Sequence, residues 1–335
     1  MPRSERLPVL VTGGAGYIGS HAVLALLDDG WPVVVIDDLS TGFEWAVPEG
    51  VVFVRGDIAD ADLVGRLIDE HDLGAVMHFA GSVVVPESVA DPLKYYRNNT
   101  ANSRALIESA VKGGVRHFLF SSTAATYGIP ETVPVREDSP QSPINPYGWS
   151  KLMTERMLID VAAAHPMNFC ALRYFNVAGA DPRGRSGQST AGATHLIKVA
   201  VEAAVGKRGH VDVYGSDYDT PDGTGVRDYI HVSDLAAAHV DALALLIAEP
   251  ERSHVMNCGY GRGFSVLEVL DSVDRVTNMT IERRMAPRRP GDPPSLVADN
   301  ARILATLPWR PRRDDLDTIV ADALAWERRL AERRA

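Results

Sequence analysis

The chain has 335 residues, 45% of them hydrophobic and 23% charged, enough to bury one large core or two ordinary ones. A formal net charge of −10 excludes nucleic acid and anionic membrane as main partners, so an anionic ligand needs a local basic cluster. No apolar run is long enough to cross a bilayer, and "MPRSERLP" enters the first strand without a signal-peptide core, so a soluble cytoplasmic protein is expected.

The first element is a strand in "VLVTGGAGYIGSHAVLALLDDG", residues 9–30, which runs into glycines and then into an apolar segment of helical period. Gly13, Gly16 and Gly19 stand three apart, and Gly14-x-Gly16-x-x-Gly19 also satisfies the dinucleotide pattern. Such a turn brings backbone N–H groups close to a pyrophosphate, and the helix start adds partial positive charge. The next strand, "PVVVID", ends in Asp37 and Asp38, 18 residues beyond Gly19 for the first of them. A carboxylate there accepts the adenosine ribose hydroxyls and repels a 2′-phosphate, so NAD is expected rather than NADP.

Strand-like runs continue at "VVFVRGD", "AVMHFAG", "HFLFSST" and "FCALRYFNV", with helical segments at 61–69 and 98–112. Their alternation predicts an α/β fold, a Rossmann-type doubly wound parallel sheet whose strands are apolar throughout because helices cover both faces. After about residue 180 the pattern loosens. "GADPRGRSGQSTAG", "YGSDYDTPDGTGVRDYIHV" and "RRMAPRRPGDPPSL" read as long irregular stretches, and the C-terminal "DTIVADALAWERRLAERRA" as one amphipathic helix. The expected division is residues 1–180 for the dinucleotide and the catalytic pair, and 181–335 for a smaller substrate-binding lobe, with some elements returning to the first part. The two cysteines, Cys170 and Cys258, lie in apolar runs and read as buried free thiols.

The densest chemistry lies in "FSSTAATYGIP" and "SPINPYGWSKLMTE". Pro146 starts a helix that sets Tyr147 and Lys151, four residues apart, on one face. A cation beside the phenol, together with a positive nicotinamide ring, favours phenolate and makes Tyr147 a general base, while the Thr123 hydroxyl holds the substrate oxygen. In "RRMAPRRPGD" four arginines near a Gly-Asp turn suggest a phosphate site. His231 reads as structural and Asp228 as a support for Arg227. No metal is assigned.

"TGGAGYIG", "HFAG", "SSTAATYG", "YGWSK" and "LRYFNVAGA" resemble the extended short-chain dehydrogenase/reductases, and "DYDTPDGTGVRDYIHVSDLA" with "RRPGD" resembles the UDP-glucose 4-epimerases among them. The resemblance implies tightly bound NAD, a UDP-sugar substrate and a role in galactose metabolism. It further implies that Tyr147 takes the C4 proton as hydride leaves, that a 4-keto sugar turns over, and that hydride returns to its other face. It implies cofactor contacts at Gly13, Gly16, Tyr17, Ile18, Gly19, Asp37, Asp38, Leu39, Ser40, Thr41, Gly42, Asp57 and Ile58. Further cofactor contacts are implied at Phe79, Ala80, Gly81, Asn98, Ser121, Tyr147, Lys151, Tyr174 and Phe175. For the UDP-sugar it implies Thr123, Tyr147, Asn176, His195, Leu196, Val213, Tyr214, Arg227, Arg289, Asp292 and Leu296, the last as a wall beside the sugar C2. It also implies a homodimer built from the helix within 98–112 and the helix that begins near Tyr147.

Two positions depart from many members of that family. Val83 stands where a cofactor-binding lysine is common, and Leu296 is intermediate in size between the residues that admit and exclude a C2 N-acetyl group. The alternatives are a C4 epimerase of another UDP-sugar (N-acetylhexosamine, pentose or uronate) and an NDP-sugar 4,6-dehydratase. The dehydratase carries Asp-Glu after the catalytic threonine, where this chain has Ala124 and Ala125.

Overall fold

The computed structural model describes residues 6–289 and 292–334. Gly291, the glycine of the expected Gly-Asp turn, lies outside the described residues. The β-branched runs form β1 (Val9–Thr12), β2 (Val33–Asp37), β3 (Val52–Arg55), β4 (Ala75–His78), β5 (His117–Thr123) and β6 (Asn168–Tyr174). Among them lie α1 (Tyr17–Asp29), α2 (Ala61–His71), α3 (Val85–Ala90), α4 (Pro92–Tyr95), α5 (Asn102–Lys112) and α6 (Pro146–Ala164). Beyond β6 come β7 (Asn176–Ala178), α7 (Leu196–Ala204), β8 (Val211–Tyr214), β9 (Val226–His231), α8 (Val232–Ala248) and β10 (His254–Cys258). The chain closes with β11 (Gly263–Ser265), α9 (Val266–Thr277), β12 (Arg283–Ala286), β13 (Ser295–Leu296), α10 (Ala301–Thr306) and α11 (Leu316–Arg334).

The main sheet has seven parallel strands in the order β3-β2-β1-β4-β5-β6-β10. Its strands are apolar throughout because alternate side chains feed two cores. Val9 and Val11 pack with Val23 and Leu26 of α1 and Leu235 and Leu243 of α8, whereas Leu10 packs with Val64 of α2, Leu106 of α5 and Leu158 of α6. The strand order reverses between β1 and β4, and at that switch the parallel strands leave a crevice at their carboxyl ends. The buried free thiols Cys170 and Cys258 lie on β6 and β10.

Two expectations are corrected. Segment 98–112 is not one regular helix: a π-helical stretch over Tyr96–Ala101 precedes α5. The stretches read as irregular contain β9, β12 and β13, and β8 ends where the second of them begins, because short strands that pair with distant partners leave no local period. They form a sheet in the order β11-β9-β13 with β7 also on β9, and a separate β8–β12 pair. β10 returns to the main sheet, so the later half of the chain completes the first core. The C-terminal helix is present as α11, burying Ile319, Val320 and Leu324.

Candidate active site

Every loop that leaves the carboxyl edge of β1 to β4 carries an expected contact, and β5 carries Ser121 and Thr123 at its end. Gly13 donates to the Ile36 carbonyl and sits at φ +69°, where a Cβ would lie 2.6 Å from Ala80 N. The glycine turn and the Phe79-Ala80-Gly81 exit of β4 are therefore in backbone contact across the switch point. Gly19 is as constrained, since a Cβ there would lie 2.1 Å from the Gly13 oxygen. Gly16 leads into α1 with no side-chain cap, so the first N–H groups of this helix face the turn without a side-chain partner. Buried Asp37 accepts from Ala15 N at 2.9 Å and Leu39 N at 2.8 Å, and Phe43 N reaches the Ala15 carbonyl at 3.0 Å. These bonds fold Asp38, Leu39, Ser40, Thr41 and Gly42 back over the turn. Asp57 and buried Ile58 follow β3, and the Tyr17 hydroxyl donates to the Gly179 carbonyl at 2.8 Å. Ile18 packs against the core under α1.

The catalytic candidates meet at the end of β5. Asn145 caps α6 by accepting from Gly148 N at 2.9 Å, and Pro146 opens the helix. Gly148 lets that helix start press on the turn after β5, because a Cβ would lie 2.6 Å from the Ala125 oxygen. This approach brings Tyr147 close to the side chain of Thr123, whose hydroxyl accepts from Ala125 N at 3.1 Å. Lys151 Nζ donates to the Ser121 carbonyl at 2.8 Å and lies 4.9 Å from the centre of the Phe120 ring. Burial lowers the Lys151 pKa to about 8. Burial also raises the Tyr147 phenol above its ordinary value, and only the Thr123 bond pulls it back. The Lys151 ammonium is turned to the Ser121 carbonyl, and burial is the first influence on the phenol.

Two residues that carried no sequence signal brace this centre. Buried Asn99 accepts from Ser82 N at 2.7 Å and donates to the Ser82 carbonyl and Ser150 Oγ. Buried Tyr95 meets Tyr147 edge-on at 6.4 Å and grips both backbone groups of Val84. The π stretch presents neighbouring Asn98 and Asn99 to Ser82 together, and π-helical turns of this kind often mark functional sites. Val83 is half exposed. Ser121 Oγ and the Tyr174 hydroxyl hydrogen-bond to each other, so Ser121 is engaged at both its side chain and its carbonyl.

The smaller lobe faces this edge. Leu296 and Phe175 pack against Ala124, Tyr127 and Val135, beside Thr123, and Leu296 pairs in register with Arg227. Arg227 meets only the Val226 and Pro294 carbonyls among the described residues, and Arg289 stacks over Tyr214 at 3.8 Å. Neither has a carboxylate partner there. The other three arginines of "RRMAPRR" do: Arg283 pairs with Asp271 and Asp274, Arg284 with Glu282, Arg288 with Asp217. Of the four arginines, Arg289 alone is left without a carboxylate partner among the described residues. Asn176, His195 and Leu196 line a cleft with Gln188 and Tyr229, and Gln188 Nε2 lies 3.1 Å from His195 Nδ1. Val213 is buried in the lobe core and pairs with Met285 of β12, and Asp292 N donates to the Arg289 carbonyl at 3.3 Å. Asp228 does not support Arg227. It accepts from the backbone N–H of Tyr260, Gly261 and Ala298, and burial raises its pKa to about 6. His231 caps α8 through Ser233 N and reaches Asp322 at 3.1 Å, a structural role.

A family model described as the NAD dependent epimerase/dehydratase family matches residues 9–259. The chain belongs to that family. It is 59% identical over 324 residues to a UDP-glucose 4-epimerase of Azospirillum brasilense, covering 97% of this chain and 93% of that protein. A solved UDP-glucose-4-epimerase of Stenotrophomonas maltophila with bound NAD and formylated UDP-arabinopyranose superposes with a TM-score of 0.95 at 39% identity, covering 98% and 100% of the two chains. A UDP-Glc/GlcNAc 4-epimerase of Campylobacter jejuni superposes at 0.84 with 46% identity, covering 96% and 99%. No helix among the described residues is long and apolar enough to cross a membrane, and no group of three or more acidic, His or Cys side chains there could hold a metal.

Proposed function

We propose that this chain is an isomerase that interconverts UDP-glucose and UDP-galactose by inverting C4, with NAD as its resident cofactor. The observation that carries the reading is the convergence of Thr123, Tyr147 and Lys151 at the switch point, followed by Ala124 and Ala125 where elimination of water would need carboxylates. The glycine cradle, the uncapped start of α1 and buried Asp37 fit the pyrophosphate and adenosine ribose of NAD. NAD held there would supply the hydride acceptor and donor for C4. The chain's own part is to hold the C4 oxygen at Thr123, accept and return its proton at Tyr147, and place the Lys151 charge beneath both. Arg227 and Arg289, cations without carboxylate partners among the described residues, would take the substrate pyrophosphate. In this reading residues 1–180 hold the cofactor and the catalytic pair and 181–335 mainly hold the UDP-sugar. The buried free thiols suit a reducing cytoplasm. Incubation with UDP-galactose and no added NAD is expected to give UDP-glucose. A 4-keto-6-deoxy product, or no turnover, overturns the reading.

Leu296 sets the expected preference among hexoses. An apolar side chain beside Ala124 offers no partner to a C2 acetamido group, and burying that group unpaired costs about 1–3 kcal/mol. UDP-galactose is expected to be preferred over UDP-N-acetylgalactosamine, and Leu296→Ser to narrow the gap. Equal kcat/KM for the two substrates in the unmodified chain would rule out a selective wall.

A homodimer completes the proposal. Trp149 and Met153 stand one turn apart on α6, each 41% exposed, and Met153 shares an apolar surface with Tyr96, Thr100 and Met157. Paired helices from two copies would cover it. Solution scattering is expected to give twice the chain mass, and a monomeric mass at working concentration counts against the pairing.

A further inference from the structure

A buried ion pair lies one helical turn beyond Lys151. Glu155 is 1% and Arg173 is 3% exposed, and Arg173 reaches the two carboxylate oxygens at 2.6 and 3.0 Å. The Ser122 hydroxyl donates to the same carboxylate, and Gln141 Nε2 reaches it at 3.4 Å. Ser122 stands on β5 between Ser121, whose carbonyl holds Lys151, and Thr123, whose hydroxyl meets Tyr147; across the sheet it is in register with Arg173. Glu155 therefore ties α6, β5 and β6 together at the one β5 residue flanked by both catalytic contacts.

The network continues toward the sugar pocket. Arg173 Nη1 donates to the Tyr127 hydroxyl at 2.9 Å, which donates to Asn257 Oδ1 at 2.6 Å. Asn257 Nδ2 donates to the Val135 carbonyl at 2.7 Å, and Val135 N donates to the Val297 carbonyl at 2.8 Å, next to Leu296. A fully buried pair contributes little net stability over apolar residues of the same volume, so its placement is better explained by what it positions and by its charge.

Resting on the epimerase reading above, we propose that Glu155 and Arg173 are the positioning pair of this active site, fixing α6 on β5 and holding a carboxylate one helical turn from Lys151. The groups facing Lys151 are the Ser121 carbonyl and the Phe120 ring on β5, Tyr147 and Glu155 on α6, and His78 on β4. Burial lowers His78 to about 3, so it is neutral, and the raised phenol of Tyr147 is neutral too. Glu155 is the charge that opposes the desolvation of Lys151.

The sign follows. Lys151 loses its proton as pH rises through its pKa, and removing the carboxylate lowers that pKa, so the alkaline limb of kcat moves to lower pH. Glu155→Gln is expected to lower kcat about 10–100-fold with KM for UDP-galactose little changed, and to shift the limb down by about one pH unit. Glu155→Asp keeps the charge and should restore the limb. The double replacement Glu155→Met with Arg173→Met, which exchanges the pair for apolar volume, should fold with a lowered melting temperature, because the Ser122 hydroxyl and Gln141 lose their partner, and show the same loss of kcat. Wild-type kcat with an unmoved limb in either folded variant overturns the proposal. If the unmodified chain does not turn over UDP-galactose, the epimerase reading falls instead. The pair is then read by 15N NMR titration of the lysine amines, assigned with Lys151→Met. A Lys151 titration that Glu155→Gln leaves unmoved overturns it.

Discussion

Tyr147→Phe is expected to keep the fold and the cofactor and to lose kcat by about 10²–10⁴-fold, the usual contribution of one general acid–base group. That range corresponds to about 3–5 kcal/mol of barrier. The ring should stay in place, because Tyr95 packs against it edge-on and Asn145 and Gly148 fix the start of α6 without help from the phenol. What disappears is the hydroxyl that meets Thr123. Burial raises this phenol above its ordinary value, so the group holds its proton until the substrate oxygen and the cofactor charge act on it. The check is steady-state epimerisation of UDP-galactose together with the NAD content of the purified variant. Unimpaired kcat removes Tyr147 from the chemistry, and loss of NAD along with kcat shows that the residue holds the site rather than reacts in it.

Gly13→Ala is expected to lower NAD affinity at least about tenfold, since the strain of the substitution falls on the cofactor cradle itself. At φ +69° an L side chain costs about 1–2 kcal/mol from its own backbone. The added Cβ would lie 2.6 Å from Ala80 N and 2.9 Å from Ala80 Cα and the Phe79 carbonyl carbon, all main chain that no rotamer change can move. Relief requires the β1 and β4 exits to separate, and these loops flank the crevice where the pyrophosphate would rest. Titration of cofactor-stripped protein measures the effect, with Gly65→Ala as the control. Gly65 lies inside α2 with open space around it, so alanine there should be neutral or slightly stabilising. Equal NAD affinity for Gly13→Ala and the wild type would show that the two loops do not form the cradle.

The sequence by itself determined the local devices of this protein. Runs such as "PVLVT" and "HFLFSST" could only be strands buried on both faces, and the glycines before α1 could only be a tight turn into a helix. Asn145-Pro146 starts a helix that must put Tyr147 and Lys151 on one face. Each is set by contacts within a few residues, so a short window of sequence encodes it. Tertiary structure alone decided the rest. It set Gly13 against Ala80 and Leu296 against Ala124, and it turned Asp228 to backbone groups near residues 260 and 298 rather than to Arg227. It gave Glu155 of α6 the partner Arg173 of β6, and it brought β10 back to finish the first sheet. Those pairings join residues tens to hundreds of positions apart. Their energies depend on which strands become neighbours and on what burial does to a charge, and neither leaves a period or a spacing in the local sequence.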